Sequence, residues 1–271
     1  MESDGRRRIR VLHVWNTGGA ASVIAKFSDR LCGTESTVIA RKAADPVGLT
    51  TYGRTYGDGA ARFFLRALAM SRAADVVHVH SLDRLVPWLK RLYPSKPVVM
   101  YYLGSDIRGR WDEKAPRWRR ADFVGYTTSD LADGAPASAV QVFCPVDTDA
   151  FPLSEGARKP NSALSIRYGM EEEARRYASE HSLEITVVER GSVPYTEMPG
   201  LLSKFEYFLD FRRPSGREGA VECLGKAALE ALSSGCKAVD WAGRVYVGLP
   251  PENRPEAVAA RWNEIYGRLV G

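Results

Sequence analysis

Two glutamates separated by seven residues, Glu222 and Glu230, with Lys226 between them, form the part of this sequence best suited to chemistry. Leu224, Ala227, Ala228, Ala231 and Leu232 fall at helical spacing and Gly235 supplies a left-handed stop, so a buried helix with one polar face is expected. Lys226 precedes Glu230 by four, the weaker order for such a pair, and a lysine in a first helical turn opposes the helix dipole. Helix stability alone does not select that arrangement. A bound anion does, because free backbone N–H groups near residues 224–227 and the positive dipole end make a phosphate site. Glu222, just before the helix, is placed to accept hydrogen bonds from sugar hydroxyls, and Glu230, more than a turn inside, to reach a ribose. The plain alternative is a solvated helix with a surface Lys–Glu pair.

Glu222-Cys223-Leu224-Gly225, then Glu230-Ala231-Leu232 and Gly235, resembles in register the paired-glutamate motif of retaining GT-B glycosyltransferases, family 4 in particular. The resemblance implies an α/β chain with two Rossmann-like domains facing across a cleft. It also implies a nucleotide-sugar donor, transfer with retention, and no metal or other cofactor. By position, Glu222 would be the catalytic-site acid on the donor sugar, the backbone of Leu224 and Gly225 would meet sugar and phosphates, and Glu230 would hold the ribose. The Gly-Arg…Lys pair that clamps the donor pyrophosphate in the family has no clear counterpart. Arg212 and Arg213, after an expected strand at 207–211, are the preferred replacement, with Arg167 and Lys226 as other sources of charge.

The resemblance extends to the first half of the chain. Gly104, Ser105 and Asp106 match a His-Gly-Ser/Thr-Asp turn on the acceptor side, with Leu103 in the histidine position. Asp106 is equally suited to capping that turn, and Arg108 adds charge where an acceptor phosphate would sit. Gly18 and Gly19 match a glycine loop facing the cleft, although a plain tight turn explains two glycines as well.

These residues need a scaffold of alternating strands and helices. Residues 9–15 read as a buried strand, followed by the glycine turn and a helix with Val23, Ile24, Phe27 and Leu31 on one face. The next strand, 36–40, ends in Arg41-Lys42, which disfavours NAD and leaves NADP open. Residues 43–58 read as a loop. Residues 62–72 form an amphipathic helix with Phe63, Phe64 and Leu68 beside Arg62, Arg66 and Arg72; it packs in a core with arginines outward or lies on an anionic membrane surface. A strand at 75–80 puts His78 and His80 on one face, and His80, at its carboxyl end, is expected as a hydrogen-bonded cleft histidine and not a metal ligand.

Further strands are expected at 97–102, 122–127 and 140–143, and residues 145–151 resemble the family's interdomain hinge. The second half reads as a strand at 163–168, a helix at 170–181, a strand at 184–189, a short helix at 197–204, the strand at 207–211, the paired-glutamate helix and strands at 237–241 and 245–247. A tail helix at 254–269 carries Val258, Trp262, Ile265 and Tyr266 on one stripe. Alternating strands and helices predict parallel sheets in both halves, and the resemblance implies an acceptor-side domain at 1–150, a shortened donor-binding domain at 151–253, and a helix at 254–271 crossing back.

At 271 residues, 45% hydrophobic and 26% charged, the chain has the composition of a folded protein with room for two domains. Its net charge of +5 suits phosphate-bearing ligands or anionic surfaces, whereas basic residues spread over both halves argue against nucleic acid. Cys32, Cys144, Cys223 and Cys236 lack disulfide or zinc spacing. No signal-peptide core opens the sequence, and no apolar run approaches the ~18 residues of a membrane span. A cytoplasmic glycosyltransferase with peripheral membrane contact at most is expected, acting on an unidentified acceptor. A nucleotide-sugar binding protein without transfer, and an NADP-dependent oxidoreductase, are the alternatives.

Overall fold

The computed structural model describes residues 7–154, 156–213 and 221–271. The first domain runs β1 (Arg10–Val14), α1 (Ala20–Leu31), β2 (Glu35–Arg41), β3 (Arg54–Tyr56), α2 (Ala60–Ser71), β4 (Val76–His80), α3 (Val86–Leu92), β5 (Val98–Tyr102), α4 (Trp111–Trp118), β6 (Phe123–Tyr126) and β7 (Val140–Gln141). The second runs β8 (Lys159–Ile166), α5 (Glu171–Glu180), β9 (Glu184–Val188), α6 (Met198–Leu202), β10 (Phe205–Asp210), α7 (Lys226–Ser233), β11 (Lys237–Asp240) and β12 (Val245–Val247), and the chain ends in α8 (Pro255–Val270).

The first seven strands form one parallel sheet in the order β3-β2-β1-β4-β5-β6-β7. Its central strands are buried on both faces, which is why Val11, Leu12, Val14 and Val76, Val77, Val79 make near-continuous apolar runs. The second sheet, β12-β11-β10-β8-β9, is parallel except for β12, which returns antiparallel beside β11. Sequence reading anticipated two parallel sheets, and the antiparallel edge is the difference. A second difference is β3, a three-residue edge strand within the segment expected to be loop.

Strand order reverses between β1 and β4 in one sheet and between β8 and β10 in the other. In open sheets such switch points leave a crevice outside the carboxyl ends of the strands. Here both crevices contribute to one cavity.

Helix α8 packs on the first domain and not on the second. Val258, Trp262, Ile265 and Tyr266 share a core with Val11, Ile24, Val76, Val99 and Tyr101, and Ala259 closes on Val23 and Phe27 of α1. The passage between domains is tied down by charge: Lys26 Nζ donates to Asp147 at 2.8 Å and Arg30 to Asp149 at 2.8 Å. Val146 and Phe151 then enter the core of the second domain.

Candidate functional site

A cavity of about 590 Å³ lies between the two domains. Its floor is made by segments that follow strands: Thr17 and Gly18 after β1, Leu103 to Ser105 after β5, Thr127 to Ser129 after β6, Tyr168 after β8, Arg190 after β9, and Arg212 and Arg213 after β10. A wall is formed by the loop Val221 to Gly225 and the first turn of α7. Residues 217–220, just upstream, lie outside the described residues.

The donor side is built around the amino end of α7. Gly225 is its N-cap, and among the described residues no side chain caps the helix, which leaves the N–H groups of its first turn open to an outside acceptor. The Gly225 N–H itself donates to Asp210 Oδ2 at 2.6 Å, which fixes the loop against β10. Arg212 braces the same loop: its Nε lies 2.8 Å from Asp210 Oδ1, and its guanidinium donates to the Cys223 carbonyl. A Cβ on residue 225 would fall 2.9 Å from that guanidinium, so any side chain there would push the Arg212 brace aside. Arg212 is thus the loop's brace as well as a cavity cation, whereas Arg213 is exposed and reaches Glu173 at 3.2 Å. Glu222 lines the cavity and is exposed.

Lys226 spans the cleft. Its ammonium donates to the Gly18 carbonyl of the first domain and lies 3.4 Å from both Tyr195 Oη and Glu230 Oε1. Burial opposes its charge, but Tyr195 and Glu230 hold its pKa above the ordinary lysine value. Glu230 differs from the expectation. It is 4% exposed, accepts a 2.7 Å hydrogen bond from the Tyr195 hydroxyl, and does not line the cavity. Burial raises its pKa, against the pull of Lys226. The expected ribose ligand is engaged inside the protein, because the helix face carrying it meets Tyr195.

On the opposite wall, Gly104, Ser105 and Arg108 line the cavity with Leu103. Asp106 does not; it caps its own turn, accepting from the Leu103 N–H at 3.1 Å and the Gly104 N–H at 2.6 Å. Gly18 lines the cavity and Gly19 lies behind it, with a positive φ of 75°. Arg108 donates to Asp130 at 2.6 Å, and Asp130 accepts from the Cys223 thiol at 3.2 Å, so the acceptor-side turn and the paired-glutamate loop share one carboxylate. Sequence reading missed Asp130, Tyr195, Asp210, Tyr168 and Arg190. The Arg190 guanidinium stacks 5.3 Å from the Tyr168 ring centre at the cavity's edge.

His80 is not a cleft residue. It is fully buried, stacked on His78 at 4.1 Å, with its Nε2 3.1 Å from His13 Nδ1 and the Tyr101 ring edge-on to it. His78 Nδ1 in turn meets Tyr266 Oη at 2.7 Å, and Trp262 covers its ring at 4.3 Å. The side-chain face was read correctly; what covers it was not. One ring nitrogen from each of the three lies within 4.8 Å of the others, but the His13–His80 contact uses a nitrogen of each. Burial lowers the pKa of all three, that of His13 to about 4, so they are neutral at pH 7.

Each of these imidazoles has its folded pKa below its unfolded one, so its contribution to stability is complete above about pH 6.5 and is lost as pH falls toward the folded value. Three such groups give a slope approaching ~4 kcal/mol per pH unit below pH 6. Urea melts from pH 7 to pH 4.5 should show this decline, and His80→Gln should flatten it by about a third. A pH-independent midpoint would contradict the neutral cluster.

No family model matches this sequence, and no curated protein matches it. Among solved structures, AviGT4, a glycosyltransferase involved in avilamycin A biosynthesis, superposes with a TM-score of 0.65 at 16% identity, over 97% of this chain and 98% of that one. S. aureus MnaA, in its co-structure with UDP, gives 0.52 at 13% identity over 97% and 89%. The spinosyn forosaminyltransferase SpnP gives 0.50 at 11% identity over 97% and 91%. At such identities the likeness shows the fold, which is GT-B: two Rossmann-like domains facing across a cleft.

Proposed function

We propose that this chain is a glycosyltransferase that takes a sugar from a nucleoside-diphosphate sugar and passes it to a saccharide or lipid-linked acceptor. The observation that carries the reading is the amino end of α7, uncapped among the described residues, opening into the interdomain cavity with Lys226, Arg212 and Arg213 around it. A helix dipole and fixed cations there stabilise the negative charge that develops on a leaving diphosphate, without reorganisation as the bond breaks. Protein groups therefore supply the charge that a metal ion provides in other transferases. The nucleotide base has a place to stack at Tyr168 and Arg190.

Glu222, exposed in the cavity ahead of the phosphate site, grips hydroxyls of the transferred sugar. The anomeric C–O bond to the diphosphate breaks as the bond to the acceptor oxygen forms, and the acceptor proton leaves with the diphosphate. The paired-glutamate resemblance supports retention. Glu230 fits a ribose role only if its carboxylate exchanges Tyr195 for the sugar. We further assign the protein to the cytoplasm, where nucleotide sugars are made; among the described residues no helix is long and apolar enough to cross a membrane.

The test is release of free nucleoside diphosphate from UDP-, GDP-, ADP- and dTDP-sugars. With the best donor, Glu222→Gln should reduce the rate by about 10- to 100-fold, the loss of one charge-assisted contact to the sugar. Its melting temperature should be unchanged, since the side chain is exposed. A second reading, a nucleotide-sugar binding protein without transfer, is favoured by Leu103, which lines the cavity where the resembled enzymes carry histidine. Binding with no diphosphate release from any donor would select it.

A further inference from the structure

Helices α2 and α3 lie side by side on the first domain, and each leaves large apolar side chains in solvent. Leu65 of α2 is 65% exposed, and Trp88 and Leu92 of α3 are 51% and 52% exposed. Phe64 meets Trp88 edge-on at 6.4 Å, which joins the two helices into one apolar patch. The spacing is that of a helix face: Arg84, Trp88, Arg91 and Leu92 follow at intervals of three and four, as do Arg62 and Leu65. Phe63, Ala67, Leu68, Val86 and Leu89 point the other way into the core, so folding is satisfied without the exposed set.

The patch is rimmed by one sign of charge. Arg62, Arg84 and Arg91 are exposed, and neither helix contains an aspartate or glutamate. Acids near these helices are already engaged: Asp58 with Arg66 at 2.7 Å, Asp122 with Lys90 at 2.9 Å, and Asp83 with Lys114 at 2.7 Å. Asp58 also feels the charge of Arg62, while Arg84 and Arg91 have no ion-pair partner among the described residues, so the patch keeps a net positive rim.

We propose that this face docks on an anionic lipid bilayer, with Leu65, Trp88 and Leu92 entering the headgroup boundary and Arg62, Arg84 and Arg91 meeting lipid phosphates. A tryptophan and leucines set among arginines is the pattern of an interfacial helix pair, and anionic headgroups complement the net positive rim. A second copy of the chain is the poorer occupant, because a two-fold interface would press like charges together. The inference is independent of the donor chemistry, and its test uses no nucleotide.

The experiment is co-flotation of the full chain with phosphatidylglycerol vesicles and with phosphatidylcholine vesicles, at low and high salt. Binding to phosphatidylglycerol should exceed binding to phosphatidylcholine by at least about tenfold at low salt and fall as salt rises. The triple variant Leu65→Ser, Trp88→Ser, Leu92→Ser should lose at least about tenfold in binding, and so should Arg62→Gln, Arg84→Gln, Arg91→Gln. Should the serine variant fail to fold, the glutamine variant, which alters only exposed arginines, decides. Equal partition to both vesicles, or binding unchanged in the variants, overturns the proposal. So does a dimer in sedimentation equilibrium that the serine variant dissolves.

Discussion

Replacing Lys226 with methionine should lower the unfolding free energy by about 3 kcal/mol or more at pH 8, a loss of the size seen when one partner of a buried ion pair is removed. The ammonium is the only cation within salt-bridge distance of Glu230 among the described residues, and it also holds the Gly18 carbonyl across the cleft. Without it Glu230 keeps the Tyr195 hydroxyl but loses its counter-charge. The sign of the pH dependence follows from the carboxyl. Its folded pKa is already raised by burial and rises further in the variant, so it is neutral and harmless at low pH. The deficit should therefore shrink as pH falls toward 5 and grow as pH rises through the folded pKa. Denaturant midpoints for wild type and Lys226→Met at pH 5 and pH 8 read this directly; a deficit independent of pH would mean that Glu230 is not the group left behind.

Trp262→Ala should cost about 3–5 kcal/mol, the range for deleting a large aromatic side chain from a core. Trp262 is fully buried and packs on His78 at 4.3 Å, Tyr101 at 4.9 Å and Phe123 at 5.9 Å, so it pins α8 to the first sheet. Its indole N–H has no hydrogen-bond partner among the described residues, so Trp262→Phe removes volume without stranding an acceptor and should cost less than half as much. Guanidinium melts of the two variants test this pair, and equal losses would show that the indole, not the packing, matters. The alanine variant should also flatten the pH profile, because opening that face lets water reach His78 and His80.

The fold was legible because both halves alternate strand and helix with distinct periods, and buried parallel strands such as 76–80 announce themselves as apolar runs. The edge strand β3 was not, since its three residues are held by pairing with Ile39 to Arg41 and by no pattern of their own. At the site, the sequence singled out the loop and the helix start, and both line the cavity. It did not locate Glu230. Helical spacing says that Lys226 and Glu230 share a face, but the partner of that face is Tyr195, from a short turn some thirty residues upstream with no local signal. His80 was misplaced for the same reason: period two assigns its side, while the rings that bury it, His13 and Tyr101, come from other strands. Arg108 and Asp130 of the first domain meet Cys223 of the second across the domain boundary, ninety-three residues away in sequence, where no local pattern points.

Docking of a diphosphate at the amino end of α7 is tested most directly by calorimetric titration of the purified chain with UDP, GDP and ADP, beside their monophosphates and Lys226→Met. One diphosphate should bind saturably, its monophosphate about tenfold or more weaker, and the variant about 10- to 100-fold weaker, as loss of a charge-assisted contact requires. No heat from any diphosphate, or equal affinity in wild type and Lys226→Met, would contradict it.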